Sequence, residues 1–142
     1  MRLTLGGAHL AAIGAAAEAA WPEECCGLLI GRETAAGWEV EETIAAANVA
    51  PDPVRRFEVE PGTLLEVHRR AREAGRALIG HYHSHPGGPA RPSDHDRARA
   101  REAGAEGEVW VIVPVTAKGA GAPAAFLFDG AGFKALETAP RP

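Results

Sequence analysis

The chain has 142 residues, 46% of them hydrophobic, enough for one domain with a core and too few for two. Lys and Arg number 15 against 19 Asp and Glu, a formal charge of -4 with no basic run, so the electrostatic footprint of a nucleic-acid-binding protein is absent. The apolar start "AHLAAIGAAAEAAW" is short, is interrupted by His9 and Glu18, and lacks the basic lead of a secretory signal, so a cytoplasmic protein with no membrane partner is expected.

In chain order, Leu10, Ile13, Ala17 and Trp21 recur at helical spacing, and Pro22 ends that first helix. Cys25 and Cys26 follow as the only cysteines; being adjacent, they suit neither a disulfide framework nor a CxxC zinc knuckle, and are expected as buried, reduced thiols. "CCGLLIG" reads as a buried strand, residues 31 to 37 as a hairpin connection, and "WEVEETIAAANVA" as a second strand through Trp38 and Val40. "PDPVRRFEVEPG" reads as a loop with a short extended piece from Phe57 to Val59, before a helix that opens on Pro61 and runs to Gly75. "RALIGHYHSH" is expected as a strand, "PGGPARP" as a stiff loop, and Ser93 as the start of a helix with Ala98 and Ala103 on its inner side. "EVWVIVPV", residues 124 to 128 and "GFKALE" supply the remaining strands. Helices and strands intermix around one sheet, which predicts an α/β or α+β fold with mixed strand directions, spanning 1–142 as a single domain.

Most of the chemistry-bearing residues lie in "GHYHSHPGGPARPSDHD". Side chains two apart in a strand point the same way, so His83 and His85 can offer two imidazoles to one metal ion. Asp96 follows after an interval that can fold back and would add a carboxylate oxygen. Two imidazoles and one carboxylate leave a fourth position on zinc for water, the arrangement of a catalytic site rather than a closed structural one. Each piece also has a plainer reading: surface strands carry histidines without function, and Ser93 with Asp96 satisfies a capping box that merely finishes a helix.

Taken together, "HSHPGGPARPSDHD" fits HxHP, six residues, then SxxD, and so resembles the JAMM signature of the MPN-plus or JAB zinc metallopeptidases. "WPEECCGLLIG" is similar to the upstream glutamate element in the short bacterial form of that family, with Glu24 in register as the catalytic carboxylate and Glu23 as its neighbour. The resemblance implies a cytidine-deaminase-like α/β/α sandwich with a mixed central sheet and Zn2+ at one sheet end. It assigns His83, His85 and Asp96 to the metal, Glu24 to the general base, and Ser93 to hydrogen bonding with the developing oxyanion. His81 shares the face of His83 and His85 where relatives carry a bulky aromatic, so pocket lining or support of a ligand is expected of it. His9, His68 and His95 read as helix-face residues.

The same resemblance implies a peptidase or isopeptidase that hydrolyses the amide at the C-terminal tail of a ubiquitin-like or sulfur-carrier protein ending in Gly-Gly. That tail would be laid beside an exposed strand, with "NVAPDPVRRFEVEPG" as part of the channel. A catalytically inactive scaffold of the same fold is the alternative, and the intact Glu24, His83, His85, Ser93 and Asp96 argue against it. A DNA-repair-associated form shares the motif but is disfavoured by the acidic balance. Exposed edge strands would permit a homodimer.

Overall fold

The computed structural model describes residues 1–104 and 106–140. Strands β1 (Arg2–Thr4), β2 (Cys26–Thr34), β3 (Gly37–Ala46), β4 (Ala77–Pro86), β5 (Val109–Thr116), β6 (Gly119–Ala120), β7 (Ala124–Phe128) and β8 (Phe133–Ala139) form one sheet. Helix α1 (Gly7–Ala20) precedes β2, α2 (Pro61–Glu73) precedes β4, and α3 (Asp94–Ala103) joins β4 to β5.

The strand order is β4-β2-β3-β1-β8-β7-β5-β6, and β4 also pairs with β5 in parallel. The mixed sheet expected from the sequence is therefore present, but it curls until its ends meet instead of forming the flat middle layer of a sandwich. Among the described residues every strand except β6 has a neighbour on both sides over part of its length, but β1 pairs with β3 only from Gly37 to Glu39, so residues 40–46 of β3 have a sheet partner on one side only. Closure satisfies backbone groups that an open sheet would leave unpaired.

Two faces result. Inside the curl, Ile13 and Ala17 of α1 pack with Leu3, Leu29, Val40, Val109, Val111 and Val113, all buried. Outside, Val67 and Ala71 of α2 cover Leu28 and Ile30, while Ala100 of α3 meets Trp110 and Phe128. One irregularity decides which face carries the histidines. Leu29 pairs with Gly80 but Ile30 with Leu78, so Ile79 is an extra, unpaired residue in β4. This bulge leaves Ile79 and Tyr82 in the inner core, and puts Leu78 in the α2 cluster. Without it, period-two alternation would turn His81, His83 and His85 inward with Ile79.

The helix signals act as expected at two N-termini. Glu60 caps α2 by accepting from the Gly62 and Thr63 amides, with Pro61 in the first turn. Ser93 caps α3. Other expectations change. Trp21 is 40% exposed and lies beyond α1, because the chain turns at Trp21 before it reaches the core. β2 runs on to Thr34 and the turn is just residues 35 and 36, since Arg32 and Glu33 pair with β3 although they are polar. The piece at Phe57 to Val59 is reduced to one bridge, Asn48 to Val59. On α3 the buried pair is Asp96 and Ala100, while Ala98 and Ala103 are exposed. A charged residue occupies the inner stripe, which shifts the apparent periodicity. Cys25 and Cys26 are free and buried as expected. No helix among the described residues is long and apolar enough to cross a membrane.

Candidate metal centre

β4 delivers His83 and His85, and the first turn of α3 delivers Asp96, so two elements on either side of the stiff 86–92 loop converge. His83 Nε2 lies 3.0 Å from His85 Nε2, and Asp96 Oδ2 lies 3.3 Å from the first and 3.0 Å from the second. Asp96 is held there by the capping box. Its Oδ2 accepts from the Ser93 amide at 3.0 Å, while Ser93 Oγ accepts from the Asp96 amide at 3.0 Å. The plain reading of SxxD and the ligand reading thus fall on one carboxylate, and the first fixes the geometry the second needs.

His83 is wholly buried and the side chain of His85 is 11% exposed. Burial pulls His83 down to about 4 against the opposing pull of Asp96, so its imidazole is neutral at pH 7. Burial also opposes charge on His85, but the hydrogen bonds to Asp96 and the Pro89 carbonyl outweigh it and leave His85 above its ordinary value. Desolvation opposes charge on Asp96 as well. The two imidazoles facing it outweigh that and hold it far below the usual carboxylate range.

Donor chemistry tests whether a metal fits. His85 Nδ1 donates to the Pro89 carbonyl at 2.9 Å, because a carbonyl oxygen can only accept. A neutral His85 therefore presents a bare lone pair from Nε2. Three lone-pair atoms within 3.3 Å of one another, two on imidazoles and one on a carboxylate, form a donor set for a cation. The residues fit a metal with N,N,O ligation and at least one open position.

Glu24 is 7% exposed at the mouth of β2, while Glu23 faces solvent. It shares with His85, Ser93, Val54, Arg55 and Arg97 the lining of an open cleft of about 500 Å³. Burial pushes its carboxyl up to about 7, and the neighbouring Asp96 adds to the rise against the pull of His85. Of the two glutamates, the one in register with the family element is the buried one, beside the His83, His85 and Asp96 cluster. Both glutamates precede β2, and there Glu23 is exposed and Glu24 buried.

Two residues that hold Glu24 in place escaped the sequence reading. Ser84, fully buried, accepts from the Cys25 amide through Oγ at 2.7 Å and donates its own amide to the Cys25 carbonyl at 3.1 Å. The middle residue of HxH thus pins the Glu24 end of β2 to the histidine strand. Asn48 donates from Nδ2 to the carbonyls of Glu24 at 2.9 Å and Arg56 at 3.0 Å, and its Oδ1 accepts from the amides of Ala50 and Glu58. This folds the 48–58 loop against Glu24. The loop then places Phe57 flat on His83, with centroids 4.3 Å apart, and Arg99 covers Phe57 and donates to its carbonyl. A polar Asn opening a Pro-rich loop was the available signal for Asn48.

His81 lies beside the His83, His85 and Asp96 cluster without joining it: its Nε2 is 3.3 Å from His83 Nδ1 and its Nδ1 2.5 Å from Glu108 Oε1. His68 and His95 are exposed, and His9 is half-buried on α1.

The chain is similar over 80 residues, at 40% identity, to a Thermus thermophilus protein named probable TtuB-protein conjugate cleaving protease, covering 56% of this chain and 51% of that one. It is similar at 36% identity over 83 residues to a Haloferax volcanii protein named desampylase, covering 56% and 55%. The matched stretch is about half the length of each of these curated relatives. A solution structure of a Desulfitobacterium hafniense protein superposes with a TM-score of 0.83 at 28% identity, covering 98% of this chain and 92% of that one. A second, from Salinibacter ruber, gives 0.72 at 32% identity, covering 100% and 92%. The family model described as prokaryotic homologs of the JAB domain matches residues 7–127, and the chain, with its HxHP and SxxD elements joined at one buried His, His, Asp cluster, belongs to that family.

Proposed function

We propose that this protein, as one domain over 1–142, is a zinc-dependent amide hydrolase acting at the C-terminal tail of a ubiquitin-like or sulfur-carrier protein. The observation that carries the reading is the approach of His83 Nε2, His85 Nε2 and Asp96 Oδ2 at the edge of a cleft that also holds Glu24. Zinc held by those three atoms would polarise the scissile carbonyl and acidify the attacking water. Glu24 accepts the proton from that water and returns it to the departing amine. In the metal-free protein burial raises this carboxyl to about 7, so it holds a proton more tightly than a solvated glutamate would, as a group that carries one between the two tasks must.

Ser93 Oγ is occupied as an acceptor of the Asp96 amide, so its hydroxyl proton is free to point into the cleft and stabilise the developing oxyanion. The 48–58 loop, tied to Glu24 through Asn48, forms one wall with Val54 and Arg55. A slender Gly-Gly tail suits an entry bounded by Pro86, Pro89 and Pro92. The tail reaches the site along this loop, which continues from residues 40–46 of β3, a stretch with a sheet partner on one side only among the described residues. The names of the two relatives, a conjugate-cleaving protease and a desampylase, support a protein conjugate as substrate.

The test is cleavage of a carrier protein bearing an amide-linked adduct on its terminal glycine. The wild-type protein should bind about one zinc and cleave, chelator should abolish both, and Glu24→Gln should keep the zinc and lose turnover. Cleavage at an undiminished rate by zinc-loaded Glu24→Gln would remove Glu24 from the mechanism.

A further inference from the structure

Next to the ligands, but outside the signature, a buried imidazole and a carboxylate make a row with His83. Glu108 Oε1 lies 2.5 Å from His81 Nδ1, and His81 Nε2 lies 3.3 Å from His83 Nδ1. His83 Nε2, on the far side of its ring, is the atom that meets His85 and Asp96. We propose that Glu108 and His81 act as positioning residues, a hydrogen-bonded relay that fixes the tautomer of His83 and so presents its Nε2 lone pair to the metal.

The direction follows from donor and acceptor inventory. An ionised carboxylate only accepts, so the proton between Glu108 and His81 belongs to His81 Nδ1. Where His83 gives its Nε2 lone pair to a cation, its own proton sits on Nδ1 and needs an acceptor, and the facing His81 Nε2 is the nitrogen in reach. With its proton on Nδ1, neutral His83 has a bare Nε2. The other tautomer would put a proton on Nε2, where Asp96 Oδ2 at 3.3 Å would accept it in place of a cation.

Packing leaves the relay little freedom. His81 and His83 are nearly parallel, 20° apart, with Phe57 stacked on His83 and the Trp110 ring edge-on to His81 at 4.4 Å. His83 Nδ1 has no other hydrogen-bond partner among the described residues. The fold also arranges for Glu108 to be in reach. β4 and β5 approach so closely at Gly80 that an added Cβ would sit 1.8 Å from the Val109 carbonyl oxygen, which brings the residue before Val109 alongside His81. The bulge at Ile79 then aims His81 along the same face as the ligands. Partners of this kind orient metal-bound imidazoles and tune their basicity.

Two readouts test the relay, and neither is peptide cleavage; the inference rests on the metal reading only for the first. Zinc affinity by chelator competition should fall about 10- to 100-fold in His81→Phe, which keeps the ring and its stacking but removes the acceptor. His81→Gln, whose amide oxygen can accept from His83 Nδ1, should recover most of that loss. In metal-free protein, long-range proton–nitrogen NMR should find the His83 proton on Nδ1 in the wild type and in His81→Gln, and moved to Nε2 in His81→Phe. Should His81→Phe fail to fold, Glu108→Leu, at a more exposed position, tests the same relay through the same two readouts. A wild-type His83 protonated on Nε2, or variants with unchanged tautomer and zinc affinity within twofold, would overturn the proposal. If the wild-type protein binds no zinc, the hydrolase reading falls while the NMR result still decides the relay.

Discussion

Replacing Glu24 by Gln in the metal-free protein should make it more stable at alkaline pH and leave it unchanged in mild acid. Burial raises the folded-state pKa of Glu24 from 4.5 to about 7, so the folded chain binds that proton more tightly than the unfolded chain. The linked stability is complete below 4.5 and is lost as pH rises through 7. Between about pH 5 and about pH 8.5 a shift of this size withdraws about 2.5 kcal/mol, at about 1.4 kcal/mol per pH unit. Because Glu24 lines a cleft open to water, screening reduces that to about 1 kcal/mol. Gln carries no such term, and at about 3 °C per kcal/mol for a chain of this size its Tm should exceed that of the wild type by about 3 °C at the higher pH. The two proteins should melt within about 1 °C of each other at the lower pH. Calorimetry of both in chelator reads the gap directly. A gap equal at both pH values, or a less stable Gln variant at high pH, would show that the carboxyl is not desolvated as described.

Asp96→Asn should lower zinc affinity by at least tenfold by equilibrium competition, since the anionic ligand is lost. In metal-free protein the same change should flatten the acid side of the stability curve, because Asp96, held low by both histidines, contributes stability that is present above 3.8 and lost as pH falls below it. Ser84→Ala strands the buried Cys25 amide and should destabilise the protein by about 1–3 kcal/mol in urea unfolding. Asn48→Ala frees the loop from Glu24, and should reduce kcat more than zinc affinity when both are measured on one preparation.

The histidine pair and the capped helix were legible because each depends on local spacing, two residues along a strand and three across a helix start, whereas the choice of Glu24 over Glu23 came from the resemblance of "WPEECCGLLIG". The strands of the outer wall were legible from apolar runs such as "VWVIVPV". Three-residue β1 carries too little pattern to stand out, yet it bridges β3 and β8 and so completes the ring. The ring itself depends on β4 meeting β5, a long-range pairing to which no local period points. The same holds for Ser84, Asn48 and Glu108, whose partners are set by strand register. Ile79 shows the limit most clearly. Simple alternation through "ALIGHYHSHP" places Ile79 with the histidines, and only the bulge separates it from the face that carries His83 and His85. Asp96 misled the inner face of α3 because a charged residue at a buried position looks like a solvent-facing one until its partners are known.

The central claim is that one cation sits between β4 and the start of α3. Anomalous diffraction at the zinc edge, from crystals grown with equimolar zinc, tests it most directly. The account predicts a single strong peak within ligand distance of His83 Nε2, His85 Nε2 and Asp96 Oδ2, at about 2.0–2.2 Å from each. A peak elsewhere, or none despite bound zinc in solution, would contradict it.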